Sequence, residues 1–223
     1  MFSDASALLN VALVLALLSL HPFDQSVTFW LVLTFGVIYT TLAFTAPHKR
    51  RGAFIVLATI GSVLLIAAVP YRFSGSRLPV LWLAEAEALF LMGVSIREVI
   101  FRRIGLAALF LVAEHLLTEE VSTIVAARGA GIAVGKLSAS SVFGLACAVL
   151  YLNGQYVARR WGSLFASEID HGVVNALTYA GAALFVTGVW IAGPTAWVAV
   201  GWMAGGVVLG VAARWTDSIH LAR

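Results

Sequence analysis

Six ionisable side chains stand inside stretches of this chain that are otherwise apolar. Glu85 and Glu87 share one stretch, and Glu114, His115, Glu119 and Glu120 follow in the next. Inside a membrane each such group costs roughly 2.5–3.5 kcal/mol on insertion scales, so each is a functional candidate by default. At helical spacing His115 and Glu119 share a face as an i, i+4 pair, while Glu85 and Glu87 point about 200° apart. A carboxylate–imidazole group of this kind could relay protons or hold a cation, with histidine as the near-neutral switch. The alternative is a structural network at the outer interface, neutralised by Arg72, Arg77 and Arg128, that ties helices together.

The elements that must position these groups follow from composition. Of 223 residues, 61% are apolar and 11% are charged, against roughly 45–50% and about 25% in soluble domains. Apolar runs near the roughly 20 residues needed to cross a bilayer recur along the whole length. They predict helices at Ala5 to Leu20, Ser26 to Ala46, Ala53 to Tyr71, Val80 to Arg97, Ile104 to Ala126, Ser138 to Ala158, Gly172 to Ala192 and Thr195 to Ala213. The expected fold is therefore an all-α polytopic bundle of about eight transmembrane helices, forming one membrane domain over residues 1–223. Pro22, Pro47, Pro70, Pro79 and Pro194 all fall at or near predicted ends, where a missing N–H costs least. Arg128 to Leu137, rich in glycine, is the longest predicted loop on the side away from the termini. The amino terminus lacks a basic region and a cleavage site, so the first helix is expected to stay in the mature protein.

An even number of spans puts both ends on one side, and the basic residues say which. Of the 14 Lys and Arg residues, ten (Lys49, Arg50, Arg51, Arg97, Arg102, Arg103, Arg159, Arg160, Arg214 and Arg223) share the side of the amino terminus. Arg72, Arg77, Arg128 and Lys136 fall on the other. By the positive-inside rule both termini are cytoplasmic, and the expected location is the bacterial inner membrane. Trp30, Trp82, Trp161, Trp190, Trp197 and Trp215 lie near predicted ends, as an interfacial belt requires. The net charge of +3 is this loop bias; nucleic-acid binding, which needs a basic soluble surface, is not expected. The expected partners are the lipid bilayer, other membrane proteins or a small solute.

Arg50-Arg51-Gly52, Arg102-Arg103-Ile104-Gly105 and Arg159-Arg160-Trp161-Gly162 each close an even-numbered helix. Trp82 to Arg97 also matches Trp202 to Arg214 weakly. The repeat unit reads as a helix hairpin, and two four-helix halves, 1–125 and 126–223, are one arrangement it allows. Arg pairs at loop ends also follow from the positive-inside rule alone.

The stretch Phe73 to Leu117 carries Trp82, Glu85, Leu89, Gly93, Arg97, Arg103, Gly105 and Leu106 in an order that resembles the repeated unit of a family of many-pass bacterial predicted membrane proteins, known as a domain of unknown function. The resemblance implies a bundle of helix hairpins and assigns no chemistry.

A second constellation belongs to another class. Gly162-Ser163-Leu164, followed by His171-Gly172-Val173-Val174-Asn175, resembles the last motif of the CAAX-type intramembrane proteases. That resemblance implies a catalytic set of Glu98, His171 and Asn175. In that family a Glu activates water, and His and Asn polarise the carbonyl. Two further family motifs depart at necessary positions: Arg97 stands where the first Glu of a Glu-Glu pair belongs, and Cys147 replaces a His. General-base catalysis needs a positioned acceptor, so a polar entry to the seventh helix is the favoured reading of His171 and Asn175, and catalysis is not the expected role.

No cofactor or metal is expected. Only His115 lies deep enough to be a haem ligand, and Lys49 and Lys136 both lie in loops, away from any retinal. The single cysteine, Cys147, allows neither a disulfide nor a Cys cluster. The role these residues support is structural, or the handling of a small solute or ion through the outward Glu and His residues.

The orientation has a direct check. Reporter fusions at Gly75 and Arg103 are expected to report opposite sides of the membrane, and the same side from both refutes the assignment.

Overall fold

A lipid-facing chain has no water to satisfy its backbone, so helices are the expected solution. Every element among the described residues is helical. The computed structural model describes residues 24–45, 51–130, 136–165, 167–193 and 195–215, with Leu13. Apart from Leu13, the predicted helix Ala5 to Leu20 lies outside them, as do Pro22, Pro47, Lys49, Arg50, Gly131, Pro194 and Arg223.

Helix α1 runs Gln25–Thr45, α2 Arg51–Ala68, α3 Arg77–Ser95 and α4 Val99–His115. A π turn, Leu116–Glu120, joins α4 to α5, Val121–Gly129. Helix α6, Lys136–Leu152, passes through a second π turn, Asn153–Val157, into a last α-helical turn, Ala158–Arg160. A 3₁₀ turn, Gly162–Phe165, precedes α7, Glu168–Ala192, and α8 is Thr195–Trp215.

Among the described residues five stretches are long and apolar enough to cross a membrane: Gln25–Thr45, Arg51–Tyr71, Arg77–Ser95, Ala139–Arg160 and Asp170–Ala192. Ala196–Val208 is a shorter apolar helix. The predicted span Ile104 to Ala126 is not among the five, because Glu114, His115, Glu119 and Glu120 dilute its apolar run; it lies within the helical stretch made of α4, the π turn and α5. The seventh predicted helix begins four residues earlier than Gly172. Ser167 caps it, its hydroxyl accepting from the Asp170 N–H at 3.1 Å, and a polar first turn is invisible to a reading of apolar runs.

Contacts divide the chain into two compact units, Met1–Ala108 and Leu109–Arg223. In the first unit α1 and α2 pack antiparallel, with Gly36 against Leu65 and Gly61 against Thr40. Phe29, Val32, Ile60, Leu64 and Ala68 form one buried cluster, and Ala43, Ala58, Leu89 and Phe101 another. Phe101 stacks on Phe44 at 5.6 Å and meets Phe54 edge-on at 6.0 Å. Gly93 and Gly105 leave room for the backbone at Arg102 and Phe90, respectively, so that α3 and the first turns of α4 approach closely. In the second unit α6 and α7 pack through Gly181 on Cys147 and Leu150 and through Gly188 on Phe143. Gly201 and Gly205 of α8 lie against Val189 and Phe185 of α7. Small residues at such crossings let dispersion hold helices together where lipid removes the hydrophobic drive.

An indole secures a helix pair in each unit. Trp82 Nε1 donates to the Ile66 carbonyl at 2.9 Å, and Trp202 Nε1 donates to the Val186 carbonyl, also at 2.9 Å. The first bond has a clear cause: Pro70, four residues after Ile66, has no N–H to give that carbonyl, and the indole supplies the donor. The Val186 carbonyl lies within α7 and keeps the helix's own donor.

The two tryptophans should therefore differ on substitution. Trp82→Phe, which leaves the Ile66 carbonyl short of a donor, is expected to cost about 1–3 kcal/mol, and Trp202→Phe about 1 kcal/mol. Thermal unfolding in detergent checks the order, and equal losses refute the role given to Pro70.

Candidate functional site

A polar side chain within a packed apolar helix bundle normally has a partner, so those without one mark places where something else is accommodated. In the first unit Thr40 Oγ1, Ser62 Oγ and Glu85 Oε2 are buried with no hydrogen-bond partner. They come from α1, α2 and α3, and the helix register places them together in depth. Gly61 packs on Thr40, which levels Ser62 with it, and the Trp82 bond to Ile66 brings Glu85 within about one helical turn of Ser62 across the antiparallel pair. All three are oxygens, and one is a carboxylate.

Glu85 is deeper than the sequence suggests. Helix α3 starts at Arg77 rather than Val80, which puts Glu85 near the middle of the candidate span Arg77–Ser95. Glu87, on another face of α3, is half-buried. The remaining predicted cluster belongs to the second unit. There Glu114 and Glu119 are exposed, and His115 and Glu120 are half-buried. The Thr118 hydroxyl donates to the Glu114 carbonyl at 2.9 Å and approaches its carboxylate at 3.3 Å. The π turn falls on this segment, so the i, i+4 spacing expected for His115 and Glu119 is not that of a regular α-helix there. Single π turns inside α-helices frequently coincide with functional positions.

The residues of the protease-like constellation likewise belong to two different units. Glu98 faces Arg51 at 3.4 Å in the first unit, an exposed pair of a kind worth little in stability. His171 and Asn175 stand in α7, in the second unit, and line a cavity of about 440 Å³ with Gly154, Gln155, Ala158, Arg159, Gly162, Phe165 and Val174. Among the described residues no carboxylate lines it. Its polar wall is organised by a chain of hydrogen bonds running one way. Arg159 Nη2 donates to Gln155 Oε1 at 3.0 Å, Gln155 Nε2 to Thr178 Oγ1 at 2.8 Å, and the Thr178 hydroxyl to the Val174 carbonyl at 3.2 Å.

The second π turn makes this wall. Asn153, Gly154 and Gln155 are consecutive and all buried. Gly154 completes the fit, since a Cβ there would press on the Thr178 hydroxyl at 2.8 Å. Reading the sequence by apolar runs passes over Gln155 and Thr178, because an amide and a hydroxyl barely alter hydropathy; their signal is the spacing of Gln155 and Arg159 on one helix and of His171, Asn175 and Thr178 on the next. Arg102, counted as a loop charge, is another residue missed: it is 2% exposed within α4. At the opposite end of the second unit Arg128 Nη2 donates to the Ile191 carbonyl at 2.9 Å, with its guanidinium 4.7 Å from the centre of the Trp190 ring. Among the described residues no group of three or more His, Cys, Asp or Glu side chains gathers as a metal site.

Gln155→Leu removes the link between Arg159 and Thr178, taking the acceptor from Arg159 and the donor from Thr178, which keeps its bond to the Val174 carbonyl. It is expected to cost about 1–3 kcal/mol in thermal unfolding, and an unchanged midpoint would mean the chain of bonds is not formed.

No family model, curated protein or solved structure matches this chain, so the chemistry of these side chains is what bears on its role.

Proposed function

We propose that this is a multi-pass protein of the bacterial inner membrane, with both ends in the cytoplasm, that handles a proton or small cation through the carboxylate of Glu85. The observation that carries this reading is the level of buried, unpartnered oxygens from Thr40, Ser62 and Glu85. A carboxylate oxygen held in an apolar span is neutralised by a proton or a cation, and two hydroxyl oxygens at the same depth suit a hard cation. The topology draws support from end-to-end contacts within each unit: Arg51 meets Glu98 at the end assigned to the cytoplasm, and Arg128 meets Ile191 at the other.

The architecture belongs to the same proposal. The chain is read as two tandem copies of a hairpin-based unit of about eight helices in total, in the manner of the uncharacterised family it resembles. What supports this is the paired indole bond, from Trp82 to a carbonyl sixteen residues back and from Trp202 to one the same distance back. Gly61 and Gly181 add to it, each packed on the preceding helix of its unit. Proteolysis has less support. Glu98 is engaged by Arg51, and the described residues that line the cavity with His171 and Asn175 include no carboxylate to act as the base for activating water.

Purified protein in liposomes carrying an internal pH dye, driven by a potassium diffusion potential with and without sodium, tests the role of Glu85. Wild type is expected to conduct protons or sodium, and Glu85→Gln to lose most of that flux. A wild-type signal equal to that of empty liposomes, or an unchanged flux in Glu85→Gln, overturns the proposal.

A further inference from the structure

The cavity between the π turn of α6 and the start of α7 has no part in ion handling by Glu85, and its chemistry is of the opposite sign. We propose that it binds a phosphate-like oxyanion, held by Arg159 with His171 and Asn175. The described lining offers a guanidinium, an imidazole and the amides of Gln155 and Asn175, and no carboxylate is among these described residues. A guanidinium is a planar fork of N–H donors that matches phosphate oxygens in pairs. One of those donors is given to Gln155, which leaves most of the fork for a ligand.

The guanidinium is held in place before any ligand arrives. Gln155 is 6% exposed and Thr178 4%, and the hydrogen bonds from Arg159 through Gln155 and Thr178 to the Val174 carbonyl fix its position. Rotamer freedom already lost in the free protein is not lost again on binding, which favours affinity. The opposite wall is one face of α7, where His171, Val174 and Asn175 recur at helical spacing. This wall lies in the first two turns of a 25-residue helix, whose N-terminal dipole also favours an anion. Asp170, buried in the same turn, is not among the lining residues. Gly162 gives the cavity room, since a Cβ there meets nothing within 4 Å.

Depth narrows the ligand class. The cavity lies where the candidate spans Ala139–Arg160 and Asp170–Ala192 end, the level at which phospholipid phosphates stand. The same donors would hold a phosphodiester of an anionic lipid or a free phosphate from solution.

The full chain in neutral detergent, freed of native lipid, provides two arms. Isothermal titration with inorganic phosphate at constant ionic strength reads the soluble source. Native mass spectrometry from micelles with equal phosphatidylglycerol and phosphatidylcholine reads the lipid source. Wild type is expected to bind in at least one arm, about tenfold more tightly than Arg159→Gln, with Arg159→Lys in between because it keeps the charge and loses the fork. Gly162→Leu, which fills space without removing a polar group, is expected to weaken the same arm, and circular dichroism checks that each variant is folded. Binding of phosphate alone assigns a soluble oxyanion, and selective retention of phosphatidylglycerol assigns a headgroup. No binding in either arm, or equal binding by wild type and folded Arg159→Gln, overturns the proposal.

Discussion

A backbone carbonyl or polar side chain in lipid has no water to turn to, so each must be satisfied inside the protein or accept a large cost. Much of this structure follows from that constraint. Pro70 removes a donor near the end of α2, and the Trp82 indole supplies one to the carbonyl that lacks it. Arg128 reaches the Ile191 carbonyl and lies on the Trp190 ring, which satisfies a helix end and shields a charge with the same side chain. Asn153 and Gln155 are amides in the buried π turn of α6, and Gln155 bonds Arg159 through its oxygen and Thr178 through its nitrogen. Thr40, Ser62 and Glu85 stand out as buried oxygens of the first unit that have no hydrogen-bond partner.

Close helix approach produces both the stability and the polar layers. With apolar side chains such as Trp30, Phe35 and Leu42 still exposed on α1, burial from water cannot be what holds this helix to its neighbour in lipid. Dispersion at small residues does so instead, at Gly36 and Gly61 between α1 and α2 and at Gly181 and Gly188 between α6 and α7. The same approach brings Thr40 against Gly61 and Thr178 against Gly154, so hydroxyls on neighbouring helices share one depth. A bulkier residue at either glycine would separate the helices and the oxygens together.

How much of this is legible in the sequence depends on which physical property carries the signal. Hydropathy carries α1, α2 and α3, whose bounds fall within a few residues of the predicted ones. It misses the start of α7, where Ser167 and Asp170 form a capped polar turn. It also treats Arg102 as a loop charge although the side chain is buried. The π turns escape for a different reason: Leu116–Glu120 and Asn153–Val157 carry no residue that forbids a regular α-helix, and only packing against the next helix selects the wider turn. Glu85 is visible as an intramembrane carboxylate, but the Thr40 and Ser62 hydroxyls at its level carry no charge for a charge count to register.

The sign of each polar site follows from its inventory of donors and acceptors. In the first unit the unpartnered atoms at the level of Glu85 are a carboxylate oxygen and two hydroxyl oxygens. Hydroxyls can donate as well as accept, but a carboxylate in an apolar span fixes the balance toward a positive guest. In the second unit the cavity wall is built the other way. Arg159 only donates, Gln155 has turned its acceptor oxygen to the guanidinium and its amide nitrogen to Thr178, and no carboxylate stands among the described lining residues. Swapping the carboxamide of Gln155 would leave two donors facing each other at Arg159, so the orientation is set by the arginine. A wall arranged in this way repels a cation and places its remaining hydrogen atoms toward an anion, and this, more than the presence of a histidine and an asparagine at protease-like spacing, determines what the cavity can hold.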